Sequence, residues 1–148
     1  MREAVIVSTA RTPIGRAYRG AFNDTQAQAL AGHVVAEAVR RAGVDPAEVE
    51  DVVLGAALQQ GSSGFNLARQ AAVRGGLPVA VPAFTVNRVC GSGAQAIVSA
   101  AHEVAAGAAD VAVAGGMENM DLAPYLITRG RWGFRMGDAE LYDSMLRD

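Results

Sequence analysis

Cysteine is almost absent from this sequence, which has a single residue of that type, Cys90, among 148. A single thiol excludes an intramolecular disulfide framework and a zinc site built from several cysteines. Aromatic residues are also scarce, at 5%, whereas glycine is frequent, with 17 residues. Small residues in this number predict that backbones pack closely against one another.

Charge and long apolar runs are limited as well. The formal net charge of −2 gives no reason to expect nucleic acid or an anionic membrane as a partner. No run of about 18 uncharged apolar residues occurs, because Glu103 and Asp110 interrupt the longest tract. The N-terminal apolar run is too short for a signal peptide. These observations predict a soluble, cytoplasmic protein. We also expect no metal ion and no permanently bound cofactor.

Short runs rich in valine and alanine alternate with helical patterns along the chain. Hydrophobic residues make up 51%, enough for one domain with a substantial core. The expected strands cover residues 3–10, 51–58, 83–89 and 111–116. The expected helices cover residues 25–41, 67–74 and 91–107. This alternation predicts an α/β fold with a mainly parallel, mixed sheet flanked by helices.

Several helix ends carry recognisable signals. Asp24 or Thr25 is expected to cap the first helix, and Asn66 the second. Asp45 and Glu48 have the spacing of a capping box around Pro46. Two neighbouring stripes predict a broad buried face on the first helix: Leu30, Val34 and Ala38, and Ala31, Val35 and Val39.

The single cysteine lies in the stretch "VNRVCGSG", between an expected strand and an expected helix. From Gly91 to Ala109 the only ionisable side chains are His102 and Glu103. A helix that is apolar nearly all round is typical of an interior. The helix that follows Cys90 is therefore expected to be buried on more than one side.

A cysteine in this position has a chemical consequence. The unpaired N–H groups and positive dipole at a helix N-terminus favour an anion such as a thiolate. Gly91 and Gly93 leave room for a substrate, and their N–H groups can approach a developing oxyanion. Cys90 is thus a candidate nucleophile. The alternative, a small structural thiol, stays open on spacing alone.

At these residues the sequence resembles a known family. "NRVCGSGAQAI" is similar to the nucleophile segment of the thiolases, which are acetyl-CoA acetyltransferases and 3-ketoacyl-CoA thiolases. The segments "RTPIGR", "NLARQAA", "VAGGMENM" and "MGD" also match in order and spacing, so the resemblance covers essentially the whole chain. Other condensing enzymes, such as ketoacyl synthases, surround their cysteine differently.

The resemblance implies a fold, a reaction and a set of substrates. The fold would be a thiolase-like half-domain in which Cys90 attacks an acyl-CoA thioester and carries the acyl group. CoA and acyl-CoA would be substrates, and fatty acid metabolism the context. The N–H of Cys90 would supply part of the oxyanion hole, and Asn87 would help to shape the turn. The family also implies a homodimer or homotetramer.

The family pattern further implies a division of the chain. Residues 1–120 correspond to the N-terminal α/β domain, and residues 121–148 to the beginning of the loop domain. Arg131 and Arg135, beside two aromatic residues, are weak candidates for CoA binding; a solvated loop is the alternative.

Thiolases also use an activating histidine, a second cysteine and an asparagine in their second half. His102 is a poor substitute, because twelve helical residues separate it from Cys90 by about 18 Å. His33, in the first helix, is an equally weak candidate. We therefore expect an incomplete N-terminal part that is inactive alone. The alternative function is a non-catalytic half-domain for assembly or for binding CoA thioesters.

Overall fold

Three short runs in the middle of the chain form a parallel sheet in the computed structural model, which describes residues 2–147. The strands are β1 (Asp51–Gly55), β2 (Ala83–Val86) and β3 (Ala112–Gly116), in the order β2-β1-β3. The central strand is the most deeply buried, with Val52 and Val53 fully inaccessible. Because all three strands are parallel, their carboxyl ends meet at one edge.

Helices cover both faces of this sheet. Helices α1 (Ala27–Ala42) and α2 (Leu67–Arg74) pack in one core with Val52. Helix α3 (Ser92–Ala106) lies on the opposite face, where Ala96 and Ala100 pack against Val53. Successive strand residues point to opposite faces, so neighbouring valines of β1 serve the two cores. The predicted α/β architecture is confirmed.

The helix ends agree with the sequence signals in most places. Helices α1 and α3 are closed by Gly43 and Gly107, both in the left-handed conformation, and Asn66 caps α2 by accepting from the Arg69 N–H. The capping box of Asp45 and Glu48 is present, although it opens only a three-residue 3-10 helix. The expected cap of α1 at Asp24 or Thr25 is wrong, because Gln26 occupies that position without a side-chain hydrogen bond.

The expected strand at residues 3–10 is also wrong. The segment forms no strand pairing within residues 2–147, and Val5, Ile6 and Val7 are 70%, 76% and 71% exposed. An open groove of about 1300 Å³ lies along it. The groove is lined by residues 4–12, by one side of α1 and of α3, and by residues 111–118.

The same groove explains two differences on the helices. Helix α3 was expected to be buried on more than one side, but Ile97, which lines the groove, is 47% exposed, and Val98, which lies outside it, is 45% exposed. That expectation is wrong for the described chain, since α3 is covered only where it meets the sheet. On α1 the stripe through Val35 is buried, whereas the stripe through Leu30 and Val34 is only half-buried, and both stripes line the groove.

A second, small sheet follows β3. Strands β4 (Tyr125–Leu126) and β5 (Tyr142–Asp143) pair antiparallel and flank a 3-10 helix at Gly130–Trp132. A change of architecture here is compatible with the expected boundary at residue 120, which stays a prediction. Over residues 2–147 no helix is both long and apolar enough to cross a membrane.

Glycines bring the start of α3 directly onto the carboxyl edge of the sheet. A Cβ atom added to Gly55 would lie 2.2 Å from the Ser92 carbonyl carbon and 2.5 Å from the Gly93 nitrogen. A Cβ added to Gly116 would lie 3.1 Å from the Gly93 Cα. Since no side chain separates them, the first turn of α3 is positioned by contact with the backbones of β1 and β3.

The substitution Gly55→Ala is therefore expected to lower the free energy of unfolding by about 2–3 kcal/mol, because backbone must move. Gly115→Ala is the matched control, since its Cβ would meet the Leu54 side chain at an ordinary 3.6 Å. Urea denaturation measures the free energy of unfolding of both variants. Equal, small losses for the two variants would contradict the backbone contact.

Candidate active site

Cys90 lies on the turn that joins β2 to α3, at the carboxyl edge of the parallel sheet. Cys90 is an exposed residue, and the next residue, Gly91, is the N-cap of α3. Ligands of open parallel sheets bind outside this edge, where loops from several strands converge. The thiol is therefore accessible and lies beside a helix N-terminus, so it is not a buried structural cysteine.

The backbone of this turn is strained at the residue before the cysteine. Val89 has a φ of 50°, which is a rare conformation for a β-branched residue and costs about 1–3 kcal/mol. Ser92 is nearly fully buried and holds the turn closed. Its hydroxyl accepts from the Arg88 N–H at 2.8 Å and donates to the Val89 carbonyl at 2.6 Å. The sequence analysis missed both Val89 and Ser92.

Asn87 joins the cysteine turn to the loop after β1. Its Oδ1 accepts from the Val89 N–H at 2.9 Å, and its Nδ2 donates to the Ala57 carbonyl at 2.9 Å. The oxygen and the nitrogen of the side-chain amide are thus both engaged with backbone. These contacts are typical of a residue that shapes a turn, the role that the sequence analysis expected.

The backbone N–H groups around Cys90 differ in whether they already have a hydrogen-bond acceptor. The Gly91 N–H donates to the Arg88 carbonyl at 3.0 Å and so is already used by the turn. Within residues 2–147 the N–H groups of Cys90 and Gly93 have no acceptor. These two N–H groups therefore remain as the candidate oxyanion donors, and Gly91 supports the turn instead.

The two histidines are not brought to the cysteine. His33 lies exposed on α1, across the sheet from α3, and His102 lies exposed four residues before the end of α3. Glu103 lies on that distal part of α3, where burial and then the charge of Asp51 raise its pKa. Asp51 begins β1, so Glu103 lies near the edge of the sheet opposite to the Cys90 turn.

Arg131 and Arg135 lie exposed in the segment between β4 and β5. Arg135 lines an open cavity of about 560 Å³ together with Arg129 and Trp132, and Arg131 is outside this lining. The Arg129 guanidinium stacks 5.4 Å from the centre of the Trp132 ring. The structure thus places one of the two predicted arginines beside an aromatic side chain.

Fold and site together define a class of α/β proteins that present an exposed cysteine on a strand-to-helix turn. A sequence profile described as "Thiolase, N-terminal domain" matches residues 4–148. The chain belongs to the thiolase family, and the resemblance that its motifs indicated is confirmed.

Two curated relatives and one solved structure agree with this assignment. The chain is 49% identical to the acetyl-CoA acetyltransferase of Cupriavidus necator and 44% identical to a probable acetyl-CoA acyltransferase of Staphylococcus aureus. Each match covers the whole chain but 37% of the relative. A crystal structure of Bacillus anthracis acetyl-CoA acetyltransferase superposes with a TM-score of 0.90 at 41% identity, over 98% of this chain and 36% of that one. The thiolase-like fold is thus confirmed.

Because Ser92 holds the strained turn, Ser92→Ala is expected to lower the free energy of unfolding by about 1–2 kcal/mol through two lost hydrogen bonds. Ser99→Ala on the same helix is the control, since the Ser99 hydroxyl accepts a single hydrogen bond within residues 2–147, from the Gln95 side chain at 3.2 Å. Chemical denaturation compares the two, and a loss at Ser99 as large as at Ser92 would count against this role.

Proposed function

We propose that this chain carries the nucleophile of a thiolase, an acetyl-CoA C-acyltransferase, and that Cys90 is the acyl carrier. The observation that carries the proposal is the position of the only cysteine. It is exposed, lies at the carboxyl edge of a parallel sheet, and directly precedes the N-terminus of α3. Membership of the thiolase family supports an acyl-CoA thioester as the group attacked.

The reaction then follows from the chemistry of thioesters. The thiol proton of Cys90 passes to water, and Sγ forms a bond to the carbonyl carbon while the carbonyl electron pair moves to oxygen. When that pair returns, the carbon–sulfur bond to CoA breaks and CoA leaves as a thiolate. The free N–H groups of Cys90 and Gly93 are the proposed stabilisers of the oxyanion.

The substrates and setting follow from the family in the same way. The named relatives are acetyl-CoA acetyltransferases and acyltransferases, so CoA and acyl-CoA thioesters are the proposed substrates. The cavity at Arg135 and Trp132, which offers a cation and an aromatic face, is a secondary candidate for CoA contacts. We also propose that the protein is cytoplasmic, forms a homodimer or homotetramer, and acts in fatty acid metabolism.

Incubation with acetyl-CoA is expected to add one acetyl group to the chain, because Cys90 is the only thiol. Intact mass spectrometry before and after hydroxylamine treatment, which cleaves thioesters, measures the adduct. Cys90→Ala is expected to abolish it, and Ser99→Ala is expected to retain it. An adduct that survives in Cys90→Ala would contradict the assignment.

A second function, thioester binding without turnover, is favoured by the positions of the histidines. Neither His33 nor His102 lies beside Cys90, so within residues 2–147 no imidazole is placed to activate the thiol or the incoming CoA. The chain spans 37% of the length of the curated relatives it matches.

The 148-residue chain alone is accordingly expected to form the acetyl adduct but to show little or no steady-state thiolysis of acetoacetyl-CoA. Acetyl-CoA release, followed by chromatography over many equivalents of enzyme, measures turnover. Adding imidazole tests whether a missing base limits the rate. Robust multiple turnover by the chain alone would overturn this expectation.

A further inference from the structure

Glu118 makes contacts that the proposed acyl transfer does not use directly. It follows β3 at the same edge of the sheet as Cys90. Its carboxylate accepts two backbone hydrogen bonds from the loop after β1, from the Ala57 N–H at 2.8 Å and from the Leu58 N–H at 3.2 Å. An ionised acceptor makes hydrogen bonds roughly twice as strong as a neutral one.

The loop that Glu118 holds also contacts the cysteine turn. The Leu58 N–H and the Ala57 carbonyl belong to one peptide group. Glu118 accepts from the N–H of this peptide, and the Asn87 Nδ2 donates to its carbonyl at 2.9 Å. Hydrogen bonds in series polarise one another, so a carboxylate on the N–H makes the carbonyl a better acceptor.

Asn87 carries this connection to the residue before the nucleophile. Its Oδ1 accepts from the Val89 N–H at 2.9 Å, and Val89 is the residue with a φ of 50°. A strained backbone of this kind persists only where the surroundings fix it from several sides. Ser92 fixes the turn from the α3 side, and Asn87 fixes it from the β1 side.

We propose that Glu118 is a positioning residue for acyl transfer at Cys90. Its carboxylate holds the peptide between Ala57 and Leu58, and this peptide holds Asn87 against the strained turn. The turn thereby keeps the Cys90 Sγ and N–H in the orientation that an acyl carbonyl requires. This inference rests on the proposed function, in which Cys90 is the nucleophile.

Two reagents separate orientation from simple thiol reactivity. p-Nitrophenyl acetate acylates a thiol through an oxyanion, whereas iodoacetamide alkylates it at a saturated carbon with no oxyanion. Glu118→Gln keeps the size of the side chain but removes its charge and one acceptor oxygen. We expect acetylation of Cys90 to slow by about tenfold, with alkylation changed less than about twofold and the urea midpoint retained. Glu3→Gln, an exposed glutamate on another segment, is the matched control and is expected to match the unaltered chain.

A double-variant cycle tests the route through Asn87. If both side chains act through the shared peptide, the variant carrying Glu118→Gln and Asn87→Ala loses no more acetylation rate than the worse single variant. Multiplicative losses would show that Glu118 acts independently of Asn87 and would overturn the proposed route.

The remaining outcomes also decide the inference. Unchanged acetylation in Glu118→Gln overturns it, and so does an equal change in both reactions with a lowered urea midpoint, since that indicates a merely structural role. A ratio of acetylation to alkylation in the unaltered chain equal to that of free cysteine would overturn it as well. Failure of the proposed function would give a different result. No adduct would form with acetyl-CoA, while the ratio of acetylation by p-nitrophenyl acetate to alkylation by iodoacetamide would still fall in Glu118→Gln.

Discussion

The structure depends on the contact between the first turn of α3 and the carboxyl ends of β1 and β3. Glycines at positions 55, 93 and 116 bring backbone against backbone there. A Cβ atom on Gly55 would lie only 2.2 Å from the Ser92 carbonyl carbon. Main chain is much less adjustable than a side chain, so this contact fixes where α3 begins. The residue just before that beginning is Cys90. The position of the thiol is therefore determined by packing between main chains and not by the contacts of its own side chain.

The turn that carries Cys90 is the part of the site where local preference and tertiary structure disagree. A valine with positive φ is unfavourable by itself, yet Val89 adopts this conformation. The buried hydroxyl of Ser92 and the amide of Asn87 satisfy the polar groups that the unusual backbone leaves free. Two side chains of the turn itself thus hold Val89, and the Asn87 side chain also contacts the loop after β1. Contacts between loops are typical of the carboxyl edge of a parallel sheet, because every strand delivers a loop to it.

The groove along residues 4–12 shows the limits of predicting structure from an apolar pattern. The pattern of residues 3–10 is that of a buried strand, but Val5 to Val7 are largely exposed beside the groove. The stripe through Leu30 and Val34 on α1 and the exposed face of α3 line the same groove. An apolar run expresses a preference for burial, but it does not say which element provides the cover. Within residues 2–147, no strand lies against this segment, so the prediction of a paired strand was wrong there.

The sequence by itself determined the three central strands, the three helices, most of their caps and the identity of the thiol, because these features depend on local periodicity and on short-range hydrogen bonds. It also carried enough of the motif pattern to indicate the thiolase family. Only the tertiary structure decided how the cysteine turn is connected to the loops beside it, since Glu118, Ala57 and Asn87 are far apart in sequence and meet only at the sheet edge. The same holds for the exposure of residues 3–10 and of α3. Burial is a property of what packs against a segment, and a segment's own residues do not specify that partner.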